Sequence, residues 1–333
     1  MNKKLIVGII FVVLVLAIVG FFVFRERKCG DGTAYGACSE NAPFYCEKGL
    51  IVSKASVCGC PDFFEIEEDL CLSEYQTSPK KIYLSYVFLG EKKEIEFVVY
   101  EGVADYISNV SKSINYFGDV VPSRLDFKLK HIEEPVQREF LLPLVFEIQN
   151  LGLSKENQAR VAISLVQNIP YNGTEDKSVG IRGDLGVNRS RYPYEVLYDM
   201  QGVCEGKSEL LSFLLKEIGY GVGIFYYPEE DHESVGIQCP LEYGLNETGY
   251  CFVETTGTAI ISDDKGYYLD WGRLSSTPEF YLIEKGNSLG KISEYKDADN
   301  LAEILTLIEE NGEITRLQKI QLDNLKEKYG LVL

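Results

Sequence analysis

The chain has 333 residues, 45% apolar and 25% charged, enough for one or two folded domains with a buried core. With 33 Lys and Arg against 51 Asp and Glu, its formal charge of -18 lacks the basic surplus that neutralises phosphates, which excludes a nucleic-acid partner. The acidic balance favours solubility and a neutral or basic substrate.

Residues 5–24, "LIVGIIFVVLVLAIVGFFVF", carry no charge and are long enough to cross a bilayer as a helix. Lys3 and Lys4 before the run and "RERK" after it leave the flanking charge nearly balanced, so charge alone does not orient such a helix. The run exceeds a signal-peptide core and no small-residue cleavage site follows, so 1–28 reads as an uncleaved single-pass membrane anchor.

Residues 29–73 form a Cys-rich module holding Cys29, Cys38, Cys46, Cys58, Cys60 and Cys71 among Gly, Pro, Asp and Asn. An even set of cysteines in a short, loop-rich stretch reads as a disulfide-stapled unit with fifteen possible connectivities. A zinc knot competes, but no His accompanies these cysteines and no paired Cys-x-x-Cys repeat occurs.

Residues 74–81 read as a polar linker, and a domain follows over 82–295. "IYLSYVFLG" and "EIEFVVY" predict a hairpin around a Gly-Glu-Lys-Lys turn. Helix is expected over 104–117 and in "PVQREFLLPLVFEIQN", where Pro143 limits it. "SKENQARVAISLVQNIPY" predicts a helix capped by Ser154 and stopped before Pro170. A Gly-, Asn- and Arg-rich loop covers 172–191.

"QGVCEGKSELLSFLLKEIGY" then opens on Cys204 and carries Leu211, Leu214, Leu215 and Ile218 on one apolar helical face. "GVGIFYY", "ESVGIQC" and "YCFVETT" read as three antiparallel strands laid against that helix, and "GYYLDWG" as a further strand. Cys239 and Cys251 bracket the connection between two of the strands, where a bridge closes a hairpin. The tail, 296–333, reads as one or two amphipathic helices broken near Asn311 and Gly312, packing on the protein or on a partner helix.

Eight cysteines can therefore pair, leaving Cys204, whose position at a helix start lowers a thiol pKa. The chain has two histidines. His232 lies at the loop end of a strand that follows the Cys204 helix, whereas His131 in "KLKHIEEP" reads as a solvated surface residue. Glu254, in an apolar strand 22 residues after His232, is a carboxylate that needs a partner if buried. Asp263, Asp264 and Asp270 are fallback groups for orienting the imidazole. Glu233, next to the histidine, points away from it on a strand or holds it protonated. The sequons at Asn109, Asn172, Asn188 and Asn246, with the disulfide module, place the bulk of the chain at the cell surface.

The segments within 154–256 together resemble the transglutaminase-like superfamily, whose papain-like core presents Cys at a helix start, His on the next strand and an acid on the strand after. The resemblance implies an α+β fold: a papain-like core with the nucleophile helix packed on an antiparallel sheet, preceded by one transmembrane helix and the small disulfide-rich module. By residue it assigns the nucleophile to Cys204, the base to His232 and the orienting carboxylate to Glu254, where Asp is commoner. Gln201 is a candidate second oxyanion donor beside the Cys204 N–H. The implied function is a membrane-anchored, extracytoplasmic cysteine enzyme acting on amide bonds of protein or peptide substrates through a thioester. Hydrolysis is favoured over cross-linking because it needs no second amine-binding surface. The family also contains inactive members, so a cell-surface binding or scaffold protein is the alternative. Neither a metal nor a cofactor is called for.

Overall fold

A computed structural model describes residues 27–116, 119, 121–172, 191–266 and 273–332. The apolar run at 5–24, Asn188, Asp270, most of the 172–191 loop and most of "GYYLDWG" lie outside these residues. Contacts divide the chain into two units, one comprising Met1–Asp62 with Ile66–Cys71 and the other Phe63–Glu65 with Leu72–Leu333.

The expected architecture needs correction. In place of a papain-like core, its nucleophile helix packed on an antiparallel sheet, preceded by a transmembrane helix and a disulfide-rich module, the described residues form a mixed α/β structure with small sheets, three two-stranded and one four-stranded, and four disulfides. No helix among them is long and apolar enough to cross a membrane. The longest, Glu294–Asn311, spreads Lys296, Asp297, Asp299, Glu303, Glu309 and Glu310 around its surface, a pattern suited to one buried stripe.

In the first unit, β1 (Phe44–Glu47) and β2 (Leu50–Ser53) pair antiparallel through the turn Lys48-Gly49. Both turn residues have positive φ, 52° and 100°, the handedness that matches strand twist in a two-residue hairpin. A one-turn helix, α1 (Ala55–Cys58), follows. Cys29–Cys46, Cys38–Cys58 and Cys60–Cys71 are bonded, which leaves no thiolates for the zinc alternative. So small a unit buries few apolar side chains, and the cross-links restrict its unfolded ensemble instead. A short ribbon of β3 (Glu65–Glu67) and β4 (Leu70–Leu72) comes next.

The second unit begins with a long hairpin, β5 (Pro79–Phe88) and β6 (Glu91–Tyr100). Its turn is Leu89-Gly90, both with positive φ, so Glu91, Lys92 and Lys93 belong to the strand rather than to the expected turn. Period-two alternation buries Ile82, Leu84, Tyr86, Ile95, Phe97 and Val99 on one face.

Helices α2 (Glu101–Asn109), α3 (Arg124–Ile132), α4 (Pro135–Asn150), α5 (Lys155–Gln167), α6 (Pro193–Asp199) and α7 (Cys204–Ile218) follow. Ser154 caps α5, accepting from the Asn157 N–H at 3.4 Å. Pro143 does not end α4, because the helix is buried on both sides of it, from Phe140 to Ile148, and packing offsets the lost backbone bond. Helix α7 is central: α3, α4, α5, α6 and two strands pack around it, burying all but three of its fifteen residues. Gly219 at φ 106° ends it.

Strands β7 (Val222–Tyr227), β8 (His232–Gln238), β9 (Tyr250–Val253) and β10 (Glu279–Glu284) form an antiparallel sheet in the order β10-β7-β8-β9. Cys239–Cys251 closes the β8–β9 connection. Helices α8 (Glu294–Asn311) and α9 (Arg316–Tyr329), separated at Gly312 with φ 72°, pack through Leu301, Ile304, Leu322 and Leu325.

Candidate active site

Cys204 is the first residue of α7 and takes part in none of the four disulfides. The N-cap, Val203, offers no side-chain oxygen, and the Lys207 N–H to the Val203 carbonyl at 3.1 Å is the first rung of the helix. The N–H groups of Cys204, Glu205 and Gly206 thus precede the ladder, and Cys204 stands at the positive end of the helix dipole. Gly206 lets α6 come close: a Cβ there would stand 3.0 Å from the Arg191 carbonyl oxygen and 3.0 Å from Val196 Cγ2.

His232 and Glu254 meet directly, Nε2 to Oε2 at 2.9 Å, with both side chains fully buried. Extending the β8–β9 register from Val235↔Val253 by one residue sets Glu254 opposite Ser234, on the face that carries His232. The two side chains are diagonal neighbours, a separation suited to the longer reach of Glu. Glu254 Oε1 accepts from the Thr255 N–H at 2.9 Å, the Thr256 N–H at 2.8 Å and the Thr256 hydroxyl at 2.7 Å. Burial alone would raise the Glu254 pKa, but His232 and the Thr256 donors outweigh it and hold the carboxyl below its ordinary value. An ionised carboxylate only accepts, so Nε2 carries the ring proton and a neutral imidazole keeps its basic lone pair on Nδ1.

The turn bearing Glu254 is fastened to two helices. Gln167 Nε2 at the end of α5 donates to the Glu254 carbonyl at 2.9 Å and the Ala259 carbonyl at 3.1 Å. From α7, the Ser208 hydroxyl lies 3.1 Å from the Thr255 hydroxyl and 3.3 Å from the Glu233 carbonyl, and Lys207 Nζ donates to the Ile169 carbonyl at 2.5 Å and the Thr256 carbonyl at 3.5 Å. Lys207 also feels the charges of Glu254 and Cys204, which puts the thiol in the same electrostatic neighbourhood as the His232–Glu254 pair. Burial pushes Lys207 down to about 7, against the upward pull of those two groups. The sequence contained a signal for it: Lys207 lies four residues before Leu211 and seven before Leu214, so it continues the apolar stripe of α7.

The opposite face of β8 carries a second ionic group. Lys128 of α3 is fully buried, bonded to Glu205, 3.1 Å from Glu209 Oε1 and 2.8 Å from Glu233 Oε2. Burial opposes the charge of Lys128, but the three carboxylates together hold its pKa well above the ordinary value. Glu233 therefore faces Lys128 and Arg124 Nη1, at 3.2 Å, rather than the imidazole, and burial pushes its pKa up against the pull of Lys128. His131 is not a solvated residue: it is buried, with Nδ1 3.2 Å from Glu209 Oε2. Lys128 and His131 lie 81 and 78 residues before Glu209 of α7, and no local pattern announces their burial.

Gln201 is half-buried in the segment before α7. Asp263 is buried near enough to raise its pKa to about 7, through burial first and then the charges of Asp264 and Glu254, but Glu254 is the group bonded to His232. Asn109 and Asn246 are exposed and Asn172 is half-buried. No family model matches the chain, and no curated protein matches it.

Proposed function

We propose that the chain is a thiol-dependent enzyme acting on amide bonds of protein or peptide substrates, in an oxidising, extracytoplasmic compartment. The observation that carries this reading is the buried His232–Glu254 pair at 2.9 Å, with Glu254 fixed by three further donors beside the helix that begins at Cys204. A carboxylate anchored in this way orients an imidazole and stabilises its protonated form, the third member of a nucleophile–base–orienter set. The order of Cys204, His232 and Glu254 is also that of the transglutaminase-like superfamily, which supports the assignment. The four disulfides support the compartment.

In the proposed reaction, Nδ1 of His232 takes the Cys204 proton and the thiolate sulfur bonds to the amide carbonyl carbon. The oxyanion is met by N–H groups at the start of α7, with Gln201 as a further donor. The imidazolium returns its proton to the amine as the C–N bond breaks, leaving a thioester. Water, deprotonated by His232, attacks the thioester carbon and releases the acid and the thiol. An amine in place of water gives transfer by the same steps.

One observation favours a second reading, a binding or scaffold protein: Cys204 is only 6% exposed, and His232 and Glu254 are fully buried. The pH profile of Cys204 alkylation separates the two. The enzyme reading expects a midpoint well below the ordinary thiol value of about 8.5 and loss of labelling and amidase activity in Cys204→Ala. Activity retained in Cys204→Ala overturns it.

A further inference from the structure

We propose that Lys207 is a positioning residue of the thiol site, its buried ammonium supplying the positive charge that balances the Cys204 thiolate and the Glu254 carboxylate. The inference rests on the enzyme reading and extends it to what sets the acidity of the nucleophile.

Lys207 lies one helical turn after Cys204, the spacing at which side chains are neighbours on a helix surface. Its side chain is fully buried. A buried lysine ordinarily sits against a carboxylate, as Lys128 does among Glu205, Glu209 and Glu233. Among the described residues no carboxylate lies within ion-pair distance of Lys207. Its ammonium is held by two carbonyl oxygens, at Ile169 and Thr256, which fix its place without neutralising its charge. Thr256 is also the residue whose N–H and hydroxyl bind Glu254 Oε1, so the lysine and the carboxylate are anchored to one turn.

The charges at the site show what this cation does. A thiolate, an imidazolium and a carboxylate sum to one negative charge in a buried setting, where uncompensated charge is costly. Lys207 in its ammonium form, which it keeps below about pH 7, brings the sum to zero. The groups that face this arrangement are Cys204 from α7, His232 from β8, Glu254 after β9, and Asp263 and Tyr227, both of which feel the charge of Glu254. Below about pH 7 Lys207 brings a positive charge of its own to this arrangement, whereas His232 gains its charge only by taking the thiol proton. Lys128 and Arg124 are committed to the carboxylates on the other face of β8.

The test uses the full chain and iodoacetamide as the probe. In Lys207→Met, which keeps the length of the side chain and removes the charge, the midpoint of Cys204 alkylation is expected to rise by about one unit, a tenfold loss of thiolate below about pH 7, where the wild-type lysine is charged. Lys207→Arg, which keeps the charge, is expected to restore the wild-type midpoint. A purely structural lysine would change the melting temperature and leave the midpoint where it was, and that result overturns the proposal. Should Lys207→Met fail to fold, 15N NMR of the lysine side chains in the wild-type protein decides the matter. Interaction energies are reciprocal, so blocking Cys204 with iodoacetamide must lower the Lys207 pKa, and an unchanged titration refutes the coupling. A wild-type midpoint at about 8.5 overturns the thiolate reading itself, whereas a depressed midpoint that Lys207→Met does not move overturns only the role of Lys207.

Discussion

Replacing Glu254 by Gln removes one negative charge at nearly constant volume, and its consequence is worked from the four donors around the carboxylate. Three of them, the Thr255 N–H, the Thr256 N–H and the Thr256 hydroxyl, converge on Oε1 within 2.7–2.9 Å, and His232 Nε2 meets Oε2 at 2.9 Å. Glutamine has one acceptor oxygen and one NH2 group, and the three converging donors claim the oxygen. The NH2 then faces Nε2, which must become an acceptor, and the ring proton moves to Nδ1. An Nδ1–H imidazole does not take the thiol proton, so thiolate-dependent alkylation at neutral pH is expected to fall by about 10²–10⁴-fold, the range a positioned acid–base group contributes. The measurement is the pH profile of Cys204 alkylation, paired with urea unfolding. Loss of charge-assisted hydrogen bonds costs about 1.5–3 kcal/mol each in the general case, partly offset here because a neutral amide is cheaper to bury. The sign of the pH effect follows from the lowered Glu254 pKa. Its contribution is fully present above the unfolded value of about 4.3 and is lost as pH falls through the folded value, so the stability gap between wild type and variant must narrow on acidification. An alkylation profile in Glu254→Gln that overlays the wild type refutes the reasoning.

Three further outcomes are expected. Lys128→Met strands Glu209 and Glu233 as buried carboxylates with their main cation removed, and unfolding in urea should show a loss of about 3–5 kcal/mol. Converting both Cys239 and Cys251 to Ala opens a bridge spanning 12 residues and should cost about 2–3 kcal/mol while leaving the alkylation midpoint of Cys204 in place. Asp263 is protonated in the fold up to about 7 against an ordinary 3.8, so the folded state binds the extra proton between those values. Stability should decline across that window as pH rises and level off above it, and Asp263→Asn should flatten the slope in a series of thermal melts.

Local features of the sequence carried much of the description. Ser154 as a cap, Gly219 and Gly312 as helix ends, the strand runs at 222–227, 232–238 and 250–253, and the parity of the cysteines each depend on a few neighbouring residues. Two local expectations failed, one for a local reason and one because of packing. The hairpin turns at Leu89-Gly90 because those two residues take positive φ, and α4 passes through Pro143 because its flanks are buried.

What the sequence determined by itself is the inventory: nine cysteines, two histidines, and Cys204, His232 and Glu254 in that order on a helix start, a strand and the end of the next strand. Only the tertiary structure decided how the six cysteines of the first unit pair and that Glu254 reaches His232. It alone also decided that Lys207, Lys128 and His131 are interior. The reason is physical: burial and partnership of an ionisable group depend on segments that meet across large sequence separations. Lys207 finds Ile169 and Thr256 from opposite directions along the chain, His131 finds Glu209 78 residues away, and Gln167 finds Glu254 87 residues away.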